Sequence, residues 1–553
     1  MTFLNGSPAA IFYSVSRAKQ KQRPCRLHTG CRLFLALIAL PLLTGISCST
    51  RAASAEGQLT WAVHVTLAPT WFDPAETSGI ITPYMMLYAV HDAMVKPMPG
   101  NSLAPSLAES VTVSGDKLIY DMALRKDARF HDGTAITARD VKWSFDRAVT
   151  VGGFPTFQMK AGSLEKPEQF VVVDDRTLRV DFIRKDNLTM PDLAVIVPAV
   201  YHSELVKKSA TDKDPWGLEY TKTNIAGGGA YKVTRWQAGT EVVFERNEDW
   251  KSGPLPKAKR IVWRQVPSAG NRRALMERGD ADISFDLPNK DFAELKQTGK
   301  VNVVTNLIGN GIGYIGMNCK NPPFNNVKVR QAVAYAIPYQ KIMDAVLFGL
   351  AGPMYGGTRG HTQVAWPQPH PYTTDMARAK ALMTEAGYAE GFETTLSFDL
   401  GFAVVNEPLC VLVQESLAQI GIKVTINKVP GSNWRAELLK KEMPLISNFF
   451  SGWLDYPEYF FFWCYHGQNA VFNTMSYQDK DMDALIDAAR KAAAEGDTAA
   501  YQTSVKGFVD KSFAEVPRIP LFQPTLSAAL QKNISGYTYW FHRQLDYRSL
   551  VKA

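Results

Sequence analysis

The chain has 553 residues, several times the size of a common domain, so two or three lobes with cores of their own are expected. Hydrophobic residues make up 46% and charged residues 21%, which excludes a disordered or fibrous chain. The formal net charge of +8 does not signal nucleic acid: residues 1–55 hold seven basic residues and no acid, and without them 54 basic residues face 53 acidic ones, which leaves no footprint for a polyanion.

Residues 1–55 run from a basic start (Arg17, Lys19, Lys21, Arg23, Arg26, Arg32) through an apolar stretch at 33–46 to the small residues Ala53, Ser54 and Ala55. This is the layout of a secretory signal peptide cleaved after Ala55. The apolar stretch is shorter than the about 20 residues that span a bilayer. Gly45-Ile46-Ser47-Cys48 offers a second route, a lipoprotein box in which Cys48 is acylated and becomes the mature N-terminus. Either route predicts a protein that works in the periplasm.

From residue 58 to about 310, short alternating runs at 118–124, 170–173, 177–182 and 241–244 read as strands bounded by turns. Between them Thr137 caps a helix that places Val141, Phe145 and Val149 on one face. From about 311 to 520 helical spacing dominates. Val329, Val333 and Ala336 share a face, Asp375 caps a helix that Gly387 ends, and another runs from Asp481 through Ile486 and Ala489. Strand-like segments at 394–398 and 422–426 alternate with these helices, which predicts βα units and a second sheet. After Pro520 the chain returns to short aromatic-rich segments.

Catalytic and metal motifs are weak. Gly227-Gly228-Gly229 lacks the trailing Lys-Ser or Lys-Thr of a phosphate loop and reads as a tight turn. No histidine pair has HxxxH spacing; Cys464 with His466, and His361 with His370, are the nearest approaches to a ligand set, and they read as isolated groups. Cys319, Cys410 and Cys464, the cysteines beyond the leader, allow one disulfide at most and leave at least one free thiol. No cofactor or metal is implied.

Two segments combine dense aromatics with single acids: Trp71-Phe72-Asp73-Pro74, and residues 449–463, which contain Trp453-Leu454-Asp455-Tyr456-Pro457-Glu458. An acid among rings is costly to ionise unless a cation or several donors meet it. Two readings stand: ordinary core rings with acids in exposed turns, or a pocket wall with an anchor for a ligand amine.

Several motifs resemble the family 5 extracellular solute-binding proteins of ABC importers, the group with dipeptide, oligopeptide and nickel binders. Leu124-Arg125-Lys126-Asp127-Ala128-Arg129-Phe130-His131-Asp132-Gly133-Thr134 with Ala138-Arg139-Asp140-Val141 is similar to that family's N-terminal signature. Gly227-Gly228-Gly229-Ala230-Tyr231, Phe244-Glu245-Arg246-Asn247-Glu248-Asp249-Trp250 and Asn325-Asn326-Val327-Lys328-Val329-Arg330-Gln331-Ala332 continue the likeness over residues 57–553.

The resemblance implies an α/β, two-lobed periplasmic-binding-protein fold of type II, with an extra subdomain in domain I and two hinge crossings. Domain I would span 56–310 and 521–553, and domain II 311–520. It implies a non-enzymatic monomer that closes on a peptide or similar small solute and delivers it to ABC permease subunits in the inner membrane. In peptide binders an Asp in a W-x-A-D-Y-x-x-P-like segment pairs with the peptide amine. Asp455 matches, with one residue fewer after Trp453 and Glu458-Tyr459 where Asp-Pro is usual. The expected ligand-contact residues are Asp455, Trp453, Tyr456, Trp71 and Phe72. An exported hydrolase, or a ligand-sensing subunit of a receptor with the same fold, are the alternatives.

Overall fold

In the computed structural model, the described residues are 57–63, 73–75, 87–98, 102–237, 239–285, 287–308, 311–356, 369–451, 454, 456–469, 472–538 and 547–553. The leader and its Cys48 lie outside them. Two large sheets organise the chain. The first has seven strands in the order Asn302–Leu307, Thr525–Leu530, Ile283–Phe285, Gln58–Val63, Arg260–Gln265, Glu241–Arg246 and Tyr231–Gln237. The second has six, in the order Gly352–Pro353, Arg518–Gln523, Gly311–Met317, Leu445–Ser451, Phe392–Asp399 and Ile422–Val429. The chain passes from the first sheet to the second between Leu307 and Gly311, and returns at Pro524.

A four-stranded antiparallel sheet, Ala108–Val113, Ile119–Leu124, Thr177–Asp181 and Phe170–Val172, forms a subdomain of the first lobe. The helix Ala138–Thr150 packs on it through Val141, Phe145 and Val149. Thr137 starts that helix with a reciprocal cap: its side chain accepts the Asp140 N–H while Asp140 accepts the Thr137 N–H. In the second lobe Asp375 caps Met376–Glu385, and Gly387 takes φ +82 just beyond its end, the left-handed backbone a glycine adopts without strain. Strands with both faces covered read as apolar runs: every residue of Gly311–Met317 and of Arg518–Gln523 is buried.

The triglycine is not a hydrogen-bonded turn. Gly227 and Gly229 lie against the segment 90–91 and Gly228 against the Arg129 carbonyl: Gly229 N–H donates to Val90 O at 3.0 Å, and a Cβ there would come within 2.5 Å of the Val90 carbonyl carbon. The chain bends at Gly229, and glycine is required there for close approach of two backbones.

All three body cysteines are free thiols. His370 is 1% exposed and lies in an aromatic nest. Its ring stacks on Tyr372 at 4.6 Å and meets the edge of Phe513 at 5.5 Å, and neither ring nitrogen has a hydrogen-bond partner. His361 lies outside the described residues. Burial pushes the His370 imidazole down to about 3. An unfolded histidine protonates near 6.5 and the folded one near 3, so the folded state loses stability as pH falls from 6.5 toward 3, by about 1.4 kcal/mol per pH unit. His370→Phe removes that proton linkage and leaves no broken hydrogen bond. Urea unfolding should show the variant within about 1 kcal/mol of wild type at pH 7.5 and more stable by about 2–3 kcal/mol at pH 4.5; equal stabilities at pH 4.5 would show that the ring is hydrated.

Candidate functional site

Of the two acid-bearing aromatic segments, the first spends its acid inside one lobe. Asp73 is fully buried. Its carboxylate receives Arg147 from the Ala138–Thr150 helix, the Thr221 hydroxyl and the Ala75 N–H, the last at 2.8 Å. Arg147 is itself only 2% exposed, lies over the Tyr201 ring and donates to Trp216 O at 3.1 Å. Every strong acceptor site of Asp73 therefore serves to fasten residues 73–75 to the first lobe. Trp71 and Phe72, which precede it, lie outside the described residues.

The second segment leads into the helix Pro457–Tyr465, with Pro457 at its first turn and Tyr456 at the N-cap. Leu454 is fully buried. Tyr456 is half-buried against the same core, and its carbonyl accepts the Phe460 N–H at 3.2 Å. Trp453 and Asp455 lie outside the described residues. All nine residues of the helix are buried, Glu458 included.

Glu458 marks a seam between the lobes. Its two carboxyl oxygens accept Asn187 Nδ2 of the first lobe at 2.6 Å and the Tyr501 hydroxyl of the second at 2.9 Å. Burial holds the Glu458 carboxyl above the usual carboxylate range, against the opposing pull of these donors and of Arg490. One residue on, Tyr459 OH donates to Gln158 Oε1 at 3.5 Å, and Gln158 also donates to Asp192. Asp192 is raised well above the ordinary range by burial, and next by the charge of Asp186. Along the same seam the Phe154 ring of the first lobe meets Phe472 edge-on at 6.4 Å, and Phe472 in turn meets Phe450 and Trp463. The lobes are in contact along this seam.

Sequence reasoning singled out the Glu458 segment but not its partners Asn187, Tyr501, Gln158, Asp192 and Arg490. A charged residue at a buried helix position, as Arg490 proves to be beside Ile486 and Ala489, is a signal that periodicity reveals only in retrospect. Cys464 and His466 do not converge on a site. Cys464 packs beside Arg518, and burial pushes its thiol up to about 12; His466 faces Asp483 and Asp487. Among the described residues no group of three His, Cys, Asp or Glu side chains could hold a metal ion.

Residues 102–472 match the family described as bacterial extracellular solute-binding proteins, family 5 middle. The chain belongs to family 5 of the extracellular solute-binding proteins. Relatives of this binding protein include the glutathione-binding protein GsiB of Pectobacterium atrosepticum, 30% identical over 78% of this chain and 82% of that protein, and GsiB of Salmonella typhi, also 30% identical with the same coverage. Solved structures agree on the two-lobed fold. A dipeptide-binding protein from Pseudoalteromonas sp. SM9913 in complex with Met-Leu superposes with a TM-score of 0.77 at 20% identity, covering 90% of this chain and 100% of that one. The binding protein AgaA of A. tumefaciens R10 with agropinic acid gives 0.76 at 22%, covering 90% and 99%. Members of this family are binding components of ABC transporters, not enzymes.

The buried pair predicts a stability effect within the first lobe. Asp73→Asn keeps the shape and leaves the Arg147 guanidinium without its anion, so unfolding free energy from urea titration should fall by about 3–5 kcal/mol. A fall below about 1 kcal/mol would mean that the pair is hydrated.

Proposed function

We propose that this protein captures a peptide-like solute bearing an ammonium group between its lobes and hands it to the membrane permease of an ABC importer. It acts in the periplasm as a monomer, after loss of residues 1–55. Domain I comprises 56–310 and 524–553, and domain II 311–523, three residues past the boundary expected at 520 because the strand Arg518–Gln523 lies in the second sheet. The lobes hinge where the chain crosses between the two large sheets. No cofactor takes part: the solute contributes its differential affinity for the closed form.

The observation that carries this reading is the seam between the lobes. Two sheets joined at two crossings meet along a face of buried rings and polar groups contributed by both lobes, the geometry of a hinged receptor. The relatives at 30% identity are glutathione-binding proteins, which supports a small peptide with a free α-ammonium and makes reduced glutathione the first probe. Asp455, between buried Leu454 and half-buried Tyr456, is the proposed amine anchor, with Trp453, Tyr456, Trp71 and Phe72 as the surrounding wall.

Edman sequencing of the exported protein should begin at Glu56; an acylated Cys48 at the N-terminus would instead identify lipoprotein processing. Calorimetry of that mature protein should show saturable binding of reduced glutathione. Asp455→Asn should weaken it about a hundredfold or more, about 3 kcal/mol, by leaving a buried ammonium unpaired. N-acetylated glutathione should bind wild type poorly and the Asn variant no worse than glutathione does. Equal binding of both compounds by both proteins would remove Asp455 from the site.

A further inference from the structure

Arg490 projects from the helix Lys480–Glu495 of the second lobe, yet its short hydrogen bonds end in the first lobe. Nη2 donates to Asp186 Oδ2 at 2.6 Å and to the carbonyl of Ala161. Within its own lobe the guanidinium lies 4.6 Å over the Phe462 ring and has one distant acid, Asp487 at 3.9 Å. Both ends of the pair are dry, with side-chain exposures of 7% for Arg490 and 1% for Asp186. Asp186 is held for this role by its own loop: its Oδ1 accepts the Leu188 N–H at 2.8 Å, and Arg184 stands 3.5 Å from Oδ2. Asn187, the next residue, reaches across to Glu458, so the loop 184–188 meets the second lobe at two adjacent points.

We infer that Arg490 is the latch that holds the lobes closed, a positioning residue that sets the closed population without being part of the amine anchor. A hydrogen-bonded ion pair that is buried only when two bodies meet favours the meeting if its geometry is good. Removing one partner then leaves the other buried and uncompensated, which disfavours it strongly. Because Arg490 makes these bonds across the seam and not within its own lobe, its loss acts on closure before it acts on the fold of either lobe. Burial, and next the charge of Asp186, raise Asp192 well above the ordinary carboxylate range, and Asp186 is the acid that hydrogen-bonds the guanidinium. The closed fraction enters apparent affinity directly: a tenfold smaller fraction means tenfold weaker binding.

This inference rests on the reading that closure is the binding step, and its test uses no ligand, so it fails separately from the glutathione assignment. Small-angle scattering of the ligand-free mature chain gives the closed fraction. Arg490→Ala should lower the ratio of closed to open at least tenfold and enlarge the radius of gyration, with circular dichroism unchanged. Asp186→Asn should open the chain as well. The double variant Arg490→Met with Asp186→Asn removes both charges, keeps the acceptor for Leu188, and should recover most of the closed fraction. Identical scattering from wild type and Arg490→Ala overturns the latch. If Arg490→Ala unfolds, scattering of Asp186→Asn and of the double variant decides: opening in the first that is reversed in the second supports the latch, and two profiles equal to wild type overturn it.

Discussion

The helix Pro457–Tyr465 carries Tyr459, Phe460, Phe461, Phe462, Trp463 and Tyr465, and all nine of its residues are buried. A helix that is apolar on every side has to be covered on every side, and one lobe does not cover this one. Phe508 of the second lobe stacks against Phe461 at 4.3 Å and Phe450 meets Phe460 at 5.1 Å, while Gln158 and Asn187 of the first lobe close over Tyr459 and Glu458. Each ring withdrawn from water contributes about 2–3 kcal/mol. This helix thus keeps its aromatic surface dry by contacts to both lobes, and one apolar cluster runs from Trp61 and Trp263 in the first lobe to Phe461 and Ile486 in the second.

Polar groups embedded in that surface determine how freely it can separate. Asp73 and Arg147 pair within one lobe. Glu458 and Arg490 find partners across the seam, and Glu458 also accepts the Tyr501 hydroxyl within its own lobe. Burial raises Glu458 and Asp192 toward the neutral acid, which reduces the charge to be desolvated on closing.

Local structure was legible in the sequence because its signals are local. Thr137 and Asp375 cap the helices expected of them, the strands at 118–124, 177–182 and 422–426 appear within a few residues of their expected ends, and the family signature around residues 124–141 matches the family found. Even the triglycine was visible, though its reason was misread: small residues are needed where two backbones touch, and sequence does not distinguish that from a turn.

What the sequence by itself determined is therefore a multi-lobed α/β chain of a solute-binding family, because capping, alternation and family motifs act over a few residues. Tertiary structure alone decided which acids are spent and which connect the lobes. Asp73 and Glu458 look alike in sequence, each a lone carboxylate among rings, yet one meets Arg147, 74 residues away, and the other meets Asn187, 271 residues away in the opposite lobe. The same holds for Arg490 and Asp186, separated by 304 residues. A buried charge takes its character from its partner, and that partner is chosen by how the two sheets pack and not by any spacing along the chain.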